Sequence, residues 1–480
     1  MIKEKLGYIP KEQRKKILLI CDDVRAFSGI ATVGREIIIE TAHHFNFAVI
    51  GGSMKHPEEG KRLDLSQSTN EAAGLTDSLV TLYPTSGYGN PDMIRQIMQI
   101  EKPDTIFLIT DPRYFIWLFQ MENEIRKEIP IVYLNIWDSP TPYPLWNKPY
   151  YESCDALLAI SKQTYNINKQ VLGDKVKDKI IRFVPHGLNE KVFCPLASND
   201  EGLIAFKKQI FGAGKEYDFV LLFNSRNIRR KQIPDTMLAY KLFIDNLPEA
   251  KAKRCAFVLH TQIVDEHGTD LEAVREYLLT GDKYNVIFST QPLDPRGMNL
   301  LYNATDAQIL LTDNEGWGLS LTEAILAGNP IIANVQGGMQ DQMRFEDETG
   351  AWIDFTKDFP SNHRGTYQNH GEWAFPVYPS NISIQGSPLT PYISSDRCRP
   401  EDAAKTIMEV YGLSREERKR RGQAGRDFAL GEGGFTSEKQ GERIIDAVDE
   451  LFKSWKPREK YELINSNTVP AKTIEHKLIY

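Results

Sequence analysis

The sequence predicts an α/β chain of two domains, each a mostly parallel sheet covered by helices. Three observations carry this expectation. At 480 residues the chain is too long for one ordinary core. Short apolar runs alternate along it with polar or amphipathic stretches of helical length, the pattern of strand–helix–strand units. The alternation restarts after about residue 200, which sets the expected domains at 1–200 and 201–455.

In the first half, "KILLICDD" (16–23) is a short buried-strand run, and "RAFSGIATVGREIIIETAHHF" after it is a glycine-containing turn entering an amphipathic helix. "FAVIGG", "TIFLIT", "IPIVYLNIW", "CDALLAIS" and "KIIRFVPHG" are the further strand-like runs. In the second half, "YDFVLLFNSR" is a strand ending in a loop, and "QIPDTMLAYKLFIDNLP" a helix with Pro234 in its first turn. "RCAFVLHTQ", "YNVIFST", "AQILLTD" and "PIIANVQGG" follow as strands. Residues 356–400, rich in Pro, Gly, Ser and aromatics, show no periodicity and read as an irregular insertion near the cleft. The polar tail 456–480 is expected to return to the N-terminal domain.

With 41% hydrophobic and 26% charged residues the chain is neither disordered nor fibrous. No apolar run reaches the ~18 residues that cross a bilayer, and the polar start "MIKEKLGYIPKEQRKK" lacks the apolar segment of a secretory signal. Five scattered cysteines without a C-x-x-C pair point away from a disulfide framework or zinc ribbon. A cytoplasmic setting is expected. The first 195 residues balance their charges, so the net −7 lies in the remainder. That balance disfavours a protein that grips nucleic acid through its phosphates.

The chemistry concentrates in "TDNEGWGLSLTEAILAGNP", where Glu315 and Glu323 stand eight positions apart. On one helix they would be about 12 Å apart along the axis and could not share one reacting atom. Gly316 and Gly318 instead place Glu315 in a loop, with a helix starting near Ser320. "SLTE" (320–323) matches a capping box, which is one role for Glu323. The other is functional. A helix start under a Gly-x-Gly loop offers amides and a positive dipole end to a diphosphate, and a carboxylate one turn inside can accept bonds from vicinal sugar hydroxyls. "FNSRNIRRK" (223–231) adds Arg226 and Lys231 at a strand end, suited to the charge that builds on a departing nucleoside diphosphate.

Four pieces in order over most of the chain resemble the retaining glycosyltransferases of family 4. These are "SGIATVG", "CDALLAIS…PHGLNEKVF", the R-x(4)-K pair Arg226/Lys231, and "EGWGLSLTEAILAGNPIIANVQGG", similar to the family's E-x(7)-E signature with its Gly-Gly turn at Gly337 and Gly338. The resemblance implies a GT-B fold: two Rossmann-like domains with mostly parallel sheets facing across a cleft. It implies transfer from a UDP- or GDP-sugar co-substrate, without a cofactor or metal, to a hydroxyl of a saccharide, metabolite or lipid. In it, Arg226 and Lys231 bind the diphosphate, Glu315 lies beside the transferred sugar and Glu323 holds the ribose. Gly316, Trp317, Gly318, Leu319 and Ser320 contact sugar or phosphate through their backbone, and Gly29 admits the diphosphate to the first domain's loop.

The chain departs from the family where an acceptor-side His often follows "IPIVYLN": here stand Ile136, Trp137 and Asp138. Trp137 and Asp138, with His186 of "PHGLN", are the acceptor-side candidates. A hydroxymethylated nucleic-acid base is a less favoured acceptor, with Tyr83, Tyr88, Tyr114, Trp137, Tyr143 and Trp146 as stacking candidates. Peripheral membrane contact is left open. A nucleotide-sugar epimerase and a non-catalytic sugar-nucleotide-binding protein are the readings from other classes.

Overall fold

The computed structural model describes residues 7–53, 57–139, 145–355, 361–386, 388, 390 and 393–459. Two sheets organise them. The first contains β1 (Lys15–Asp22), β2 (Phe45–Gly52), β3 (Leu63–Asp64), β4 (Val80–Pro84), β5 (Thr105–Ile109), β6 (Ile131–Asn135), β7 (Ala156–Ala159) and β8 (Ile180–Phe183). Their order is β3-β4-β2-β1-β5-β6-β7-β8, parallel except at β3. The second contains β9 (Phe219–Asn224), β10 (Cys255–His260), β11 (Asn285–Ser289), β12 (Ala307–Leu310), β13 (Ile331–Asn334) and β14 (Ala374–Val377), in the parallel order β11-β10-β9-β12-β13-β14. Chain order reverses direction beside β1 in one sheet and beside β9 in the other. Ligands of open α/β sheets bind at such switch points, outside the strands' C-terminal ends.

The continuous apolar run in β1 follows from burial on both faces. Ile17, Leu19 and Cys21 join the core that holds Val33 and Ile37 of the Gly29–Thr41 helix, while Leu18 and Ile20 join the opposite core with Ile94 and Leu118. Strands β4 and β14 are not foreseen from sequence. β4 is five residues ending on Pro84. β14 carries Pro376, which a strand tolerates at a sheet edge, where this one sits beside β13 alone. The stretch 356–400 therefore corrects the expectation of an irregular insertion. It completes the second sheet and then forms an antiparallel ribbon of β15 (Asn381–Ile384) and β16 (Ser394–Arg397). Residues 356–360, 387, 389, 391 and 392 of it lie outside the described set.

The chain passes between the sheets twice at one place. Leu188 donates to the Phe435 carbonyl at 3.0 Å and accepts from the Ser437 amide at 2.9 Å. A Cβ on Gly187 would stand 2.0 Å from the Thr436 oxygen, so this backbone crossing requires glycine. The Ser437–Ser454 helix then packs against the Gly29–Thr41 helix of the first sheet, with Gly441 against Glu40. Of the tail, the Arg458 amide donates to the Arg126 carbonyl of the first sheet's layer at 2.9 Å; residues 460–480 lie outside the described set. A second junction joins the two halves at Lys162. Its amide donates to Asp341 Oδ2 at 2.8 Å, and its ammonium donates to the Ile353 carbonyl while lying 4.0 Å from the Trp352 ring centre.

Candidate functional site

The C-terminal ends of the two sheets face each other across a cleft of about 1200 Å³. Its first wall is built from Ala26–Gly29 after β1, Ile136 and Asp138 after β6, Ile160 after β7 and His186 after β8. Its second wall is built from Asn224 at the end of β9, Ser225, Arg226, Arg230 and Lys231 after it, and Glu315–Ser320 after β12, with Glu323 beyond. Gly29 marks where the walls touch: a Cβ there would lie 3.2 Å from Leu319 Cδ1. Ser28 caps its helix by accepting from the Ala31 amide, and donates to Asp22 Oδ2 at 2.6 Å.

Glu315 lies in the loop after β12. Its Oε2 accepts from Arg230 Nη1 at 3.0 Å and from the Lys231 ammonium. Burial alone would raise its pKa, but Lys231 and Arg230 overcome that and hold the carboxyl well below the usual carboxylate range. Burial lowers the Lys231 ammonium to about 8; Glu315 opposes the shift and Arg230 adds to it. The Gly337–Gly338 turn fixes this loop. Gly337 adopts φ 52°, and side chains at the two positions would stand 2.0 and 2.1 Å from the carbonyl oxygens of Glu315 and Gly316. Only bare backbone lets the two loops lie against each other, with the Gly338 amide on the Glu315 carbonyl.

The helix after the loop runs Leu319–Leu326. Its N-cap is Gly318 at φ 87°, with no side-chain cap, so the capping box expected at Ser320 and Glu323 does not form. Glu323 falls at the fifth helical position and turns sideways. Its Oε2 accepts from the Tyr302 hydroxyl at 2.6 Å and from Asn224 Nδ2 at 3.3 Å. Burial pushes its pKa up to about 7, against the Tyr302 hydrogen bond. The uncapped first turn at Leu319 and Ser320 opens onto the cleft between the two glutamates. Trp317 lends the cleft its backbone. Its indole is buried, donating to Thr322 Oγ1 at 2.9 Å and packing edge-on to Phe435 and His186.

The remaining candidates divide. Arg226 reaches the cleft rim, exposed, in a two-pronged pair with Asp265 at 2.9 and 3.3 Å. Asp138 lines the cleft; burial raises it to about 6, with Arg230 opposing and Glu315 reinforcing. His186 lines the floor and is held neutral, its pKa lowered to about 4 by burial, with Gln440 Nε2 3.4 Å from its Nδ1. Trp137 does not reach the cleft. Its ring enters the first sheet's core because the indole N–H finds the Ser139 carbonyl at 2.7 Å, which corrects its placement as an acceptor-side residue. Of the other aromatics, Tyr83 bonds Glu101 and Tyr88 bonds Asp22, both at 2.6 Å, while Tyr114 and Trp146 are exposed. Tyr143 lies outside the described residues.

Three participants escape sequence reasoning: Arg230, Tyr302 and Asn224. Arg230 stands inside the quoted "FNSRNIRRK", hidden by its neighbours in the R-x(4)-K spacing. The short turn Arg229–Lys231 aims it and Lys231 at one carboxylate oxygen. Four cations, Arg226, Arg229, Arg230 and Lys231, within seven residues of a strand end were the available signal. Among the described residues, no cluster of three or more His, Cys, Asp or Glu is placed to hold a metal ion. None of their helices is long and apolar enough to cross a membrane.

No family model and no curated protein matches the sequence. Solved structures do. The sucrose-phosphate synthase of Thermosynechococcus elongatus aligns with a TM-score of 0.65 at 16% identity, over 92% of this chain and 100% of its own. Anabaena HepE, solved in complex with UDP and glucose, aligns with a TM-score of 0.61 at 13% identity, over 91% and 100%. An E. coli trehalose-6-phosphate structure bound with UDP-2-fluoro glucose aligns with a TM-score of 0.59 at 13% identity, over 92% and 100%. At such identities the likeness is one of architecture: the chain has the GT-B fold, two Rossmann-like domains facing each other across a cleft.

Proposed function

We propose that the chain is a retaining glycosyltransferase of the family 4 kind. It would move a sugar from a UDP- or GDP-sugar to a hydroxyl of a saccharide, metabolite or lipid in the cytoplasm. The observation that carries this reading is the layout of charge along one wall. Arg226, Arg230 and Lys231 flank an uncapped helix start, with an ion-paired glutamate on one side and a neutral-bonded glutamate on the other. A nucleoside-diphosphate sugar has a matching sequence of parts. Its ribose hydroxyls meet Glu323, its diphosphate meets the Leu319 and Ser320 amides with Arg226 and Lys231, and its sugar meets Glu315. Neighbours of the same fold were solved with UDP and glucose or UDP-2-fluoro glucose.

In the reaction the bond from the anomeric carbon to phosphate oxygen breaks, and negative charge grows on the leaving diphosphate. Fixed cations and amides stabilise that charge more than they stabilise the bound donor. They do here the work that a divalent ion would otherwise do, so the reading requires no metal. The acceptor hydroxyl enters on the face the phosphate leaves, forms the new bond, and gives its proton to the departing phosphate oxygen. Configuration is retained. Asp138, across the cleft from Arg230 and Glu315, is assigned to hold the acceptor hydroxyl, and His186 lines the same cleft and stays neutral. A hydroxymethylated nucleic-acid base is the lesser acceptor reading.

The test is incubation of UDP- and GDP-sugars without acceptor, followed by proton NMR. One donor should hydrolyse slowly, and the first sugar released should keep the donor's anomeric configuration. Inverted sugar overturns retention, and an intact nucleotide carrying a new sugar indicates an epimerase. Binding without any turnover indicates a sugar-nucleotide-binding protein.

A further inference from the structure

We propose that Tyr302 and Asn224 are positioning residues that orient Glu323 for the ribose, so that the protein's preference for ribose over deoxyribose nucleotides is set by a buried phenol touching no ligand. This rests on the reading of Glu323 as the ribose holder.

Three groups from three elements meet at one carboxylate oxygen. Glu323 comes from the Leu319–Leu326 helix, Asn224 ends β9, and Tyr302 stands near the end of the Pro295–Asn303 helix. The Tyr302 hydroxyl donates to Glu323 Oε2 at 2.6 Å and accepts from Asn224 Nδ2 at 2.8 Å. The phenol thus uses its donor and an acceptor lone pair at once. Asn224 Nδ2 also reaches Oε2, at 3.3 Å. Oε2 is therefore occupied by protein donors. Among the described residues Oε1 has no partner, and it is not a buried unpaired atom, while the residue itself lines the cleft. The arrangement fixes which oxygen faces the ligand.

The phenol is itself immobile. Tyr302 is fully buried, its carbonyl accepts from Asn329 Nδ2 at 2.7 Å, and Phe193 packs edge-on against its ring. Pro295 and Met298 of the same helix line the cleft, so one rigid element presents both the apolar wall beside the nucleotide and the brace behind the glutamate. The side-chain bonds of Tyr302 and Asn224 go to each other and to Glu323, while Arg230 and Lys231 bond Glu315. A group whose orientation depends on such a brace loses specificity when the brace is removed, even though its own atoms remain.

The experiment titrates UDP and GDP, each with its 2′-deoxy and 3′-deoxy forms, into the wild-type protein, Tyr302→Phe, Asn224→Ala and Glu323→Gln by calorimetry. Donor KM and kcat are measured alongside. Wild type should prefer the ribose form of its nucleotide about tenfold, the worth of one hydrogen bond to a charged group. Tyr302→Phe should lose most of that preference while binding the deoxy forms as wild type does, and its kinetic loss should fall on the donor KM more than on kcat. Asn224→Ala, at the half-buried partner, should show the same pattern more weakly and guards against misfolding of the first variant. Retained ribose preference in both variants overturns the inference. So does equal loss for ribose and deoxy forms, which indicates general damage. A wild-type protein that binds both forms equally, with Glu323→Gln unchanged, overturns the ribose reading itself and this inference with it.

Discussion

Glu323→Gln should make the unliganded protein more stable and the nucleotide complex weaker, and the gain should depend on pH. Burial lifts the folded-state pKa of Glu323 to about 7 from an ordinary 4.5. The folded protein therefore holds the proton more tightly than the unfolded chain. Stability from this group is complete below the unfolded value and is lost as pH rises toward the folded one. A shift of about 2.5 units corresponds to roughly 3 kcal/mol at pH 8 and about 1 kcal/mol at pH 5. These are upper figures, because the side chain is only partly buried and the cleft admits water. Glutamine keeps a carbonyl oxygen for the Tyr302 hydroxyl and never ionises, so it escapes the cost. Melting curves of both proteins at pH 5 and pH 8 should show a small gain at the lower pH that grows by about 5 °C at the higher, for a cooperative unit of ~200 residues. UDP or GDP affinity should fall about tenfold in the same variant. A glutamine variant that melts lower than wild type at both pH values would refute the reasoning and make Glu323 a structural acceptor.

Other substitutions test the rest of the cleft. Lys231→Ala removes the buried partner of Glu315 and, on the proposed reading, a cation for the donor diphosphate; turnover should fall at least ~10³-fold while circular dichroism keeps the fold. Arg230→Lys keeps the charge but not the planar guanidinium whose Nη1 donates to both the Glu315 carboxylate and the Asn314 carbonyl, and should cost about tenfold in kcat. Gly338→Ala drives a methyl into the Gly316 carbonyl 2.1 Å away, and should lower both the melting temperature and the donor affinity. Asp138, raised to about 6 by burial, should give the activity profile an acid limb near that pH, which Asp138→Asn should remove.

The sequence displays those parts of the site that are built from adjacent residues. Glu315, the two glycines around Trp317 and the helix entered at Leu319 belong to one strand–loop–helix unit, so spacing alone locates them. The Gly337–Gly338 turn is visible too, as two residues whose only use is a close backbone approach. What stays hidden is made by tertiary contact. Asn224 and Glu323 are 99 positions apart, Asn224 and Tyr302 78 positions, and nothing local marks Tyr302 as different from any core tyrosine. The apparent capping box fails for a related reason. Ser320 and Glu323 have the right spacing, but a left-handed Gly318 starts the helix two residues early and shifts both off the cap. Trp137 fails because its face is decided by the Ser139 carbonyl, which periodicity does not reveal. At the level of the fold, buried apolar runs are legible even where the strand is four residues long, as in β7 and β12, whereas β14 is masked by Pro376 and becomes a strand only because β13 offers it an edge.

The Ser437–Ser454 helix has a consequence for how the chain is made. It covers the Gly29–Thr41 helix with Ile444, Val448 and Leu451 on its buried face, and it is joined to that layer by His44 to Asp449 and Arg182 to Glu450. Synthesis proceeds from the N-terminus, so the first sheet emerges from the ribosome with this surface bare. It stays bare while the chain grows from Phe183, the end of that sheet, to Ser437. The Ser437–Ser454 helix is thus the lid on the first domain's core, and the second domain must fold in the interval. Premature termination before Ser437 would release a chain whose second cleft wall is complete and whose first is unsealed. Such a fragment would be prone to aggregate through that exposed face rather than survive as a folded half.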